Sequence, residues 1–188
     1  MLLPNFDSSA FRNGGTYVFL CGAGGLGKST TEYLVKKYNS NIIWLGRRAV
    51  DESIMTAQEE IAKFGQKPEY YQCDATNSEQ VENVYQKIKE NHSVIHGVFH
   101  SAIVLNYMLL KNMNDADFKK AFLPKSSASQ NLVQTFRNEP LDFICFYSSA
   151  QALFHAPGQA NYASGCSFKD SYALQINHTL NIPVKIIN

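Results

Sequence analysis

The sequence carries no excess of either charge: 17 basic residues stand against 16 acidic ones, a formal net charge of +1. Without a basic face there is no electrostatic footprint for nucleic acid or for an anionic membrane, so neither is an expected partner. No apolar run approaches the roughly 20 residues of a membrane span. Met1 to Gly15 lack a charged n-region followed by an apolar h-region, so no secretory signal is visible and a cytoplasmic protein is the expectation. The two glycosylation sequons, Asn91-His92-Ser93 and Asn177-His178-Thr179, then read as chance matches. Cys21, Cys73, Cys145 and Cys166 form no C-x-x-C pair and have no histidine at metal-ligand spacing. They read as reduced thiols, and no metal is expected.

What is present is ordinary globular material, 45% hydrophobic and 18% charged over 188 residues, the size of one domain. Short apolar runs alternate with amphipathic stretches. Strands are predicted at Thr16 to Cys21, Asn41 to Leu45, Glu69 to Gln72, Val94 to Phe99, Leu141 to Tyr147 and Pro183 to Ile187. Between them, Thr31, Leu34, Val35 and Tyr38 mark one helical face, and Ile54, Ala57, Ile61 and Phe64 a second. Thr76-Asn77-Ser78-Glu79 matches a capping box opening a third helix, with Val81, Val84, Tyr85 and Ile88 turned inward. A long helical stretch from Asn114 to Arg137 is interrupted by Pro124, and Gln159 to Asn177 forms a further helix. Strict alternation of β and α units predicts a Rossmann-type, doubly wound parallel sheet of at least six strands with helices on both faces.

Gly22-Ala23-Gly24-Gly25-Leu26-Gly27 lies where the first strand turns into the first helix. This is G-x-G-x-x-G in the context of a dinucleotide site, whose backbone N–H groups and helix N-terminus accept a pyrophosphate. The same segment also spells G-x-x-x-x-G-K-S through Lys28 and Ser29, a formal match to the phosphate loop of nucleotide triphosphatases. Such an enzyme needs an Asp closing a later apolar strand to hold magnesium. Phe143 to Tyr147 ends instead in Ser148-Ser149, and Val94 to Phe99 ends in His100. A dinucleotide site needs its discriminating residue about 20 positions beyond the glycines. Arg47 and Arg48 stand there, matching the 2′-phosphate of NADP and not the ribose hydroxyl of NAD.

Ser149 follows the fifth strand, where open α/β sheets place their ligands, and Tyr162 opens the next helix. Joined to the glycine turn, this pair resembles the short-chain dehydrogenase/reductase superfamily. Most of its members carry a lysine four residues beyond the tyrosine, a position that here is Cys166. The polyketide-synthase ketoreductases carry theirs on the preceding long helix, and Lys125, continuing a stripe of Phe118, Ala121 and Phe122, resembles it. A lysine on an apolar face must find a partner; the plainer reading is a surface lysine with a buried stem. The resemblance extends through Gly15-Thr16-Tyr17, Cys73-Asp74-Ala75, His100-Ser101-Ala102-Ile103-Val104-Leu105 and Pro157-Gly158-Gln159-Ala160-Asn161-Tyr162-Ala163. Phe168-Lys169-Asp170 is similar to ketoreductases of bacterial trans-acyltransferase synthases in particular.

The resemblance implies NADPH-dependent reduction of a β-ketoacyl thioester, presented on an acyl carrier protein beside other domains of a modular synthase. Tyr162, Ser149 and Lys125 would be catalytic. Gly22, Gly24, Gly25, Leu26, Gly27, Arg47, Arg48, Asp74, Ala75, Ser101 and Ala102 would bind the cofactor. Residues 1–188 would be one NADP-binding catalytic subdomain, cut at its C-terminus and lacking the N-terminal structural half and the substrate lid. Leu20, Cys21, Ile103 and Cys166 depart from the family pattern, and Leu105-Asn106-Tyr107 departs from the Leu-Asp-Asp signature of one stereochemical class. A nucleotide triphosphatase and a catalytically degenerate ketoreductase-like domain are the alternatives.

Overall fold

The computed structural model describes residues 10–154, 156–180 and 182–188. The reading of Met1 to Gly15 falls mainly on residues 1–9, outside the described residues. Six strands alternate with helices: β1 (Thr16–Leu20), α1 (Gly25–Tyr38), β2 (Asn41–Gly46), α2 (Glu52–Ala62), β3 (Glu69–Gln72), α3 (Ser78–Asn91) and β4 (Gly97–His100). After a 3₁₀ turn at Leu110–Asn112 come α4 (Asp115–Phe122), α5 (Ser127–Phe136), β5 (Phe143–Tyr147), α6 (Gln151–Phe154), α7 (Ala160–Thr179) and β6 (Val184–Ile187). Every strand pairing is parallel, in the order β3-β2-β1-β4-β5-β6. This is the expected doubly wound sheet, with its strand order reversing between β1 and β4.

Strand periodicity divides the core into two layers. Tyr17, Phe19, Ile42 and Trp44 face Leu34 and Val35 of α1 and Ala57 and Ile61 of α2. Val18, Leu20, Ile43 and Leu45 face the other way, towards Val81 and Ile88 of α3, Leu132 and Phe136 of α5, and Ala173 and Ile176 of α7. Both sheet faces are therefore covered, which is why the strands read as near-continuous apolar runs.

Apart from shifts of one or two residues at other element ends, three features depart from the sequence reading. The fourth strand begins at Gly97, not Val94, because the Ile95 N–H is drawn off the ladder to the Glu139 carboxylate at 3.2 Å. The third helix is capped by Asn77, whose side chain accepts from Gln80 N–H at 3.1 Å, so the expected capping box is displaced by one residue. The Thr76 hydroxyl instead donates to Asp74 Oδ1 at 2.8 Å. Lys125 does not sit on a helix: Pro124 ends α4, and Lys125 occupies the turn before α5. The short α6 has too few residues to show a period.

Candidate active site

The cleft lies at the carboxyl ends of β1 and β4, where the strand order reverses. It encloses about 390 Å³ and is lined by Gly24, Gly25, Leu26, Gly27, Arg47, Arg48, Ser101, Ala102, Lys125 and Tyr162, together with Ile103. A smaller adjoining hollow holds Asp74 and Ala75 and shares Arg47 and Ala102 with the first. The structure thus brings together the candidate cofactor residues from four separate turns, except that Gly22 is not part of the lining and packs against Trp44. Asp74 Oδ1 accepts from the Thr76 N–H and hydroxyl. Ser101 is committed likewise, its hydroxyl donating to the Leu20 carbonyl at 2.6 Å.

The glycines have different tasks. A Cβ on Gly22 would fall 2.0 Å from the Trp44 ring, and one on Gly27 would fall 2.6 Å from the Gly22 carbonyl oxygen. These two let strand and helix pack closely. A Cβ on Gly25 would meet nothing within 4 Å, so that position faces open space in the cleft. No side chain caps α1, and its first turn holds no acidic residue. The N-terminal N–H groups and the helix dipole are therefore presented to an anion, which fits a pyrophosphate. Cys21, just before the turn, has a φ of 62°, a left-handed conformation that glycine adopts without cost.

Lys28 and Ser29, the residues on which the competing reading of this loop rests, have other partners. Lys28 Nζ pairs with Glu60 on α2, and the Ser29 hydroxyl donates to the Gly25 carbonyl at 3.1 Å. The lysine and hydroxyl that a triphosphatase needs at the phosphate and its magnesium are both engaged elsewhere. The two arginines also differ. Arg48 pairs with Asp51 at 2.8 Å, the residue that caps α2, whereas Arg47 lines both lobes of the cleft.

Tyr162 enters from the first turn of α7 and is buried. Its backbone N–H donates to Asn161 Oδ1 at 2.8 Å, while Asn161 Nδ2 donates to the carbonyls of Asn106 and Asp117 at 3.1 and 3.2 Å. Fully buried Asn161 thereby ties the tyrosine to the chain after β4. Lys125 is 1% exposed, which excludes a surface lysine. Its ammonium lies over the Tyr162 ring, 4.2 Å from the centroid, and donates to the Ala102 carbonyl at 3.5 Å. Burial pushes the Tyr162 phenol up, and the Ser149 hydroxyl pulls it down. Burial pulls the Lys125 ammonium down. Ser149 Oγ also accepts from Gln151 N–H at 3.2 Å, which fixes the hydroxyl at the start of α6.

Two residues of this site, Gly165 and Lys169, carry no role in the sequence reading, although Lys169 stands in its Phe168-Lys169-Asp170 segment. A Cβ on Gly165 would stand 2.7 Å from Lys125 Cδ, so this helical glycine makes room for the lysine stem. Lys169, one turn further along α7, is entirely buried. A glycine and a lysine within a long helix were the available signals. Among the described residues no group of His, Cys, Asp or Glu could hold a metal ion, and no helix is long and apolar enough to cross a membrane.

Sheet order and glycine cradle define a Rossmann-type, doubly wound domain. More narrowly, the chain belongs to the KR domain family, whose model matches residues 15–187. It is 41% identical over 178 residues to Polyketide synthase PksN of Bacillus subtilis (strain 168), covering 95% of this chain and 3% of that protein. The fold is similar to an N-terminal ketoreductase from the macrolactin assembly line, with a TM-score of 0.91 and 24% identity over 97% of this chain and 38% of that one. It is also similar to an alcohol dehydrogenase from Thermococcus sibiricus complexed with 5-hydroxy-NADP, with a TM-score of 0.82 and 12% identity over 92% of this chain and 74% of that one. The chain spans 3% of the length of the first curated relatives it matches.

Proposed function

We propose that this domain reduces the β-carbonyl of a β-ketoacyl thioester, carried on an acyl carrier protein, to the β-hydroxyacyl thioester. It does so as the catalytic subdomain of a larger polyketide synthase, of the trans-acyltransferase type, working in the cytoplasm beside the synthase's other domains. The observation that carries the reading is the meeting of buried Lys125 with Tyr162 in the glycine-rich cleft. NADPH, bound in that cleft, would supply the hydride to the β-carbon.

The chain's own residues supply the rest. The uncapped start of α1 and Gly25 receive the pyrophosphate, and Arg47 receives the 2′-phosphate. Arg48 is a weaker candidate because Asp51 already neutralises it. Tyr162 gives its phenolic proton to the carbonyl oxygen as that oxygen gains charge, and Ser149 donates a hydrogen bond to the same oxygen. Burial that raises the phenol keeps the proton in place until the carbonyl needs it. Lys125 offsets the resulting phenolate with a cation held on the same wall.

The test is NADPH oxidation with a β-ketoacyl-N-acetylcysteamine thioester, read alongside Tyr162→Phe. Substrate-dependent oxidation that the variant loses is the expected result. A folded protein that binds NADPH yet never turns over would instead be the degenerate domain.

A further inference from the structure

Lys169 lies on α7 below Tyr162 and Cys166, with its side chain wholly buried. Its nitrogen donates to the backbone carbonyl of Tyr147 at 2.8 Å and meets His100 Nδ1 at 3.3 Å. His100 is also wholly buried, and its Nε2 makes no hydrogen bond. Among the described residues no carboxylate pairs with Lys169; neighbouring Asp170 acts on it only through a weaker charge effect. A buried lysine without a counterion is expensive and is not explained by packing.

Tyr147 closes β5 and is held from both sides of the sheet. Its hydroxyl meets Thr30 Oγ1 of α1 at 3.0 Å, while its carbonyl is held by Lys169 of α7. Ser149 follows two residues later, so the Lys169 contact fixes the backbone from which the Ser149 hydroxyl projects. We propose that Lys169, backed by His100, is a positioning residue for the carbonyl reduction: it anchors the Tyr147–Ser149 segment from which the Ser149 hydroxyl is presented. This inference rests on the reading of Lys125, Ser149 and Tyr162 given above.

The charge arrangement supports it. Lys125 faces Lys169 from the α4–α5 turn, Cys166 and Asp170 from α7, Cys21 from the glycine turn, Cys145 from β5 and His100 from β4. Burial, and after it the charge of Lys125, pulls Lys169 down to about 7. Burial, then Lys169 and Lys125, holds His100 well below the usual histidine range, so the imidazole is neutral. Protonated Lys169 has only donors, so His100 Nδ1 accepts from it and the imidazole proton sits on Nε2. Neutral Lys169 still donates to Tyr147 and can accept from an Nδ1–H.

The experiment compares wild type with Lys169→Met, Lys169→Arg and Tyr162→Phe, measuring kcat, NADPH affinity and the pH dependence of kcat/KM. Lys169→Met should keep its NADPH affinity and lose about tenfold in kcat, since the Ser149 segment loses its anchor. Arginine stays charged at every working pH. Lys169→Arg should therefore push on the Lys125 proton and move the alkaline limb to lower pH, while Lys169→Met keeps the wild-type limb. A purely structural role would not move that limb. Lysine ε-carbon NMR of the wild type supplies a readout independent of any variant's folding: one lysine should titrate near pH 7, and higher in Lys125→Met. The proposal is overturned if both Lys169 variants keep wild-type kcat and limb, or if every lysine titrates in the ordinary range. Retained turnover in Tyr162→Phe would instead overturn the underlying site reading, whatever the Lys169 variants do.

Discussion

The Lys125 ammonium lies over the Tyr162 ring, 4.2 Å from its centroid. The ring face is the electron-rich side of the aromatic system, so the contact holds the cation without a carboxylate. The pair joins the α4–α5 turn to the start of α7, and it makes Lys125 and Tyr162 sensitive to each other's replacement.

The first prediction follows from that contact. Tyr162→Phe keeps the ring beneath Lys125 but removes the proton donor, so NADPH affinity should stay near wild type. Turnover should fall by roughly a hundredfold or more, the usual worth of a positioned acid. Single-turnover reduction with a thioester substrate measures this, and retained turnover would assign the proton to another group.

The second prediction ranks two neighbours. Cys166 is fully buried beside Tyr162 and packs with Ala152, so Cys166→Ala should cost less than tenfold in turnover, under about 1.4 kcal/mol of barrier. Lys125→Ala should cost far more. The reverse order in single-turnover assays would give the thiol a catalytic role.

Gly165→Ala tests the space for the lysine stem. Its added Cβ would lie 2.7 Å from Lys125 Cδ and 3.2 Å from Lys125 Cβ, inside contact distance. Alanine is otherwise the better helix former by about 1 kcal/mol. The variant should therefore lose kcat with little change in NADPH affinity, although α7 itself gains helical propensity. Wild-type kcat in Gly165→Ala would show that the stem moves freely.

The two arginines should separate in cofactor titrations. Wild type should bind NADPH much more tightly than NADH. Arg47→Ala should weaken NADPH by roughly ten- to a hundredfold, the range for a charge-assisted hydrogen bond, and leave NADH alone. Arg48→Ala should do less to NADPH, since Arg48 is paired with Asp51. Equal wild-type affinities for the two cofactors would remove the assignment.

Stability should depend on pH through Lys169. Its folded-state value lies near 7, below the 10.5 of an unburied lysine, so between these limits the unfolded chain binds more protons than the folded one. The Lys169 contribution to wild-type stability should rise with pH across that window. Replacing the lysine by methionine removes a penalty that is full below pH 7, so Lys169→Met should gain most, relative to wild type, at pH 6 to 7 and least near pH 10. Denaturant midpoints at several pH values check the sign.

The sheet, its covered faces and the cradle were readable before any coordinates. Apolar runs, helical periods and a glycine-rich turn are local properties, and local sterics dictate them. Gly22 and Gly27 stand where strand and helix would otherwise collide, and Ser149 follows the right strand. The partners of long side chains were not readable, because a partner from another element is chosen by packing. Lys28 reads as a phosphate-loop lysine until α2 brings Glu60 to it, and Arg47 and Arg48 are alike until Asp51 takes one. Lys125, Gly165 and Lys169 belong together only once Pro124 has ended α4 and α7 has crossed beneath the turn. Burial without a counterion then alters the charge of Lys169, and burial exists only in the folded chain.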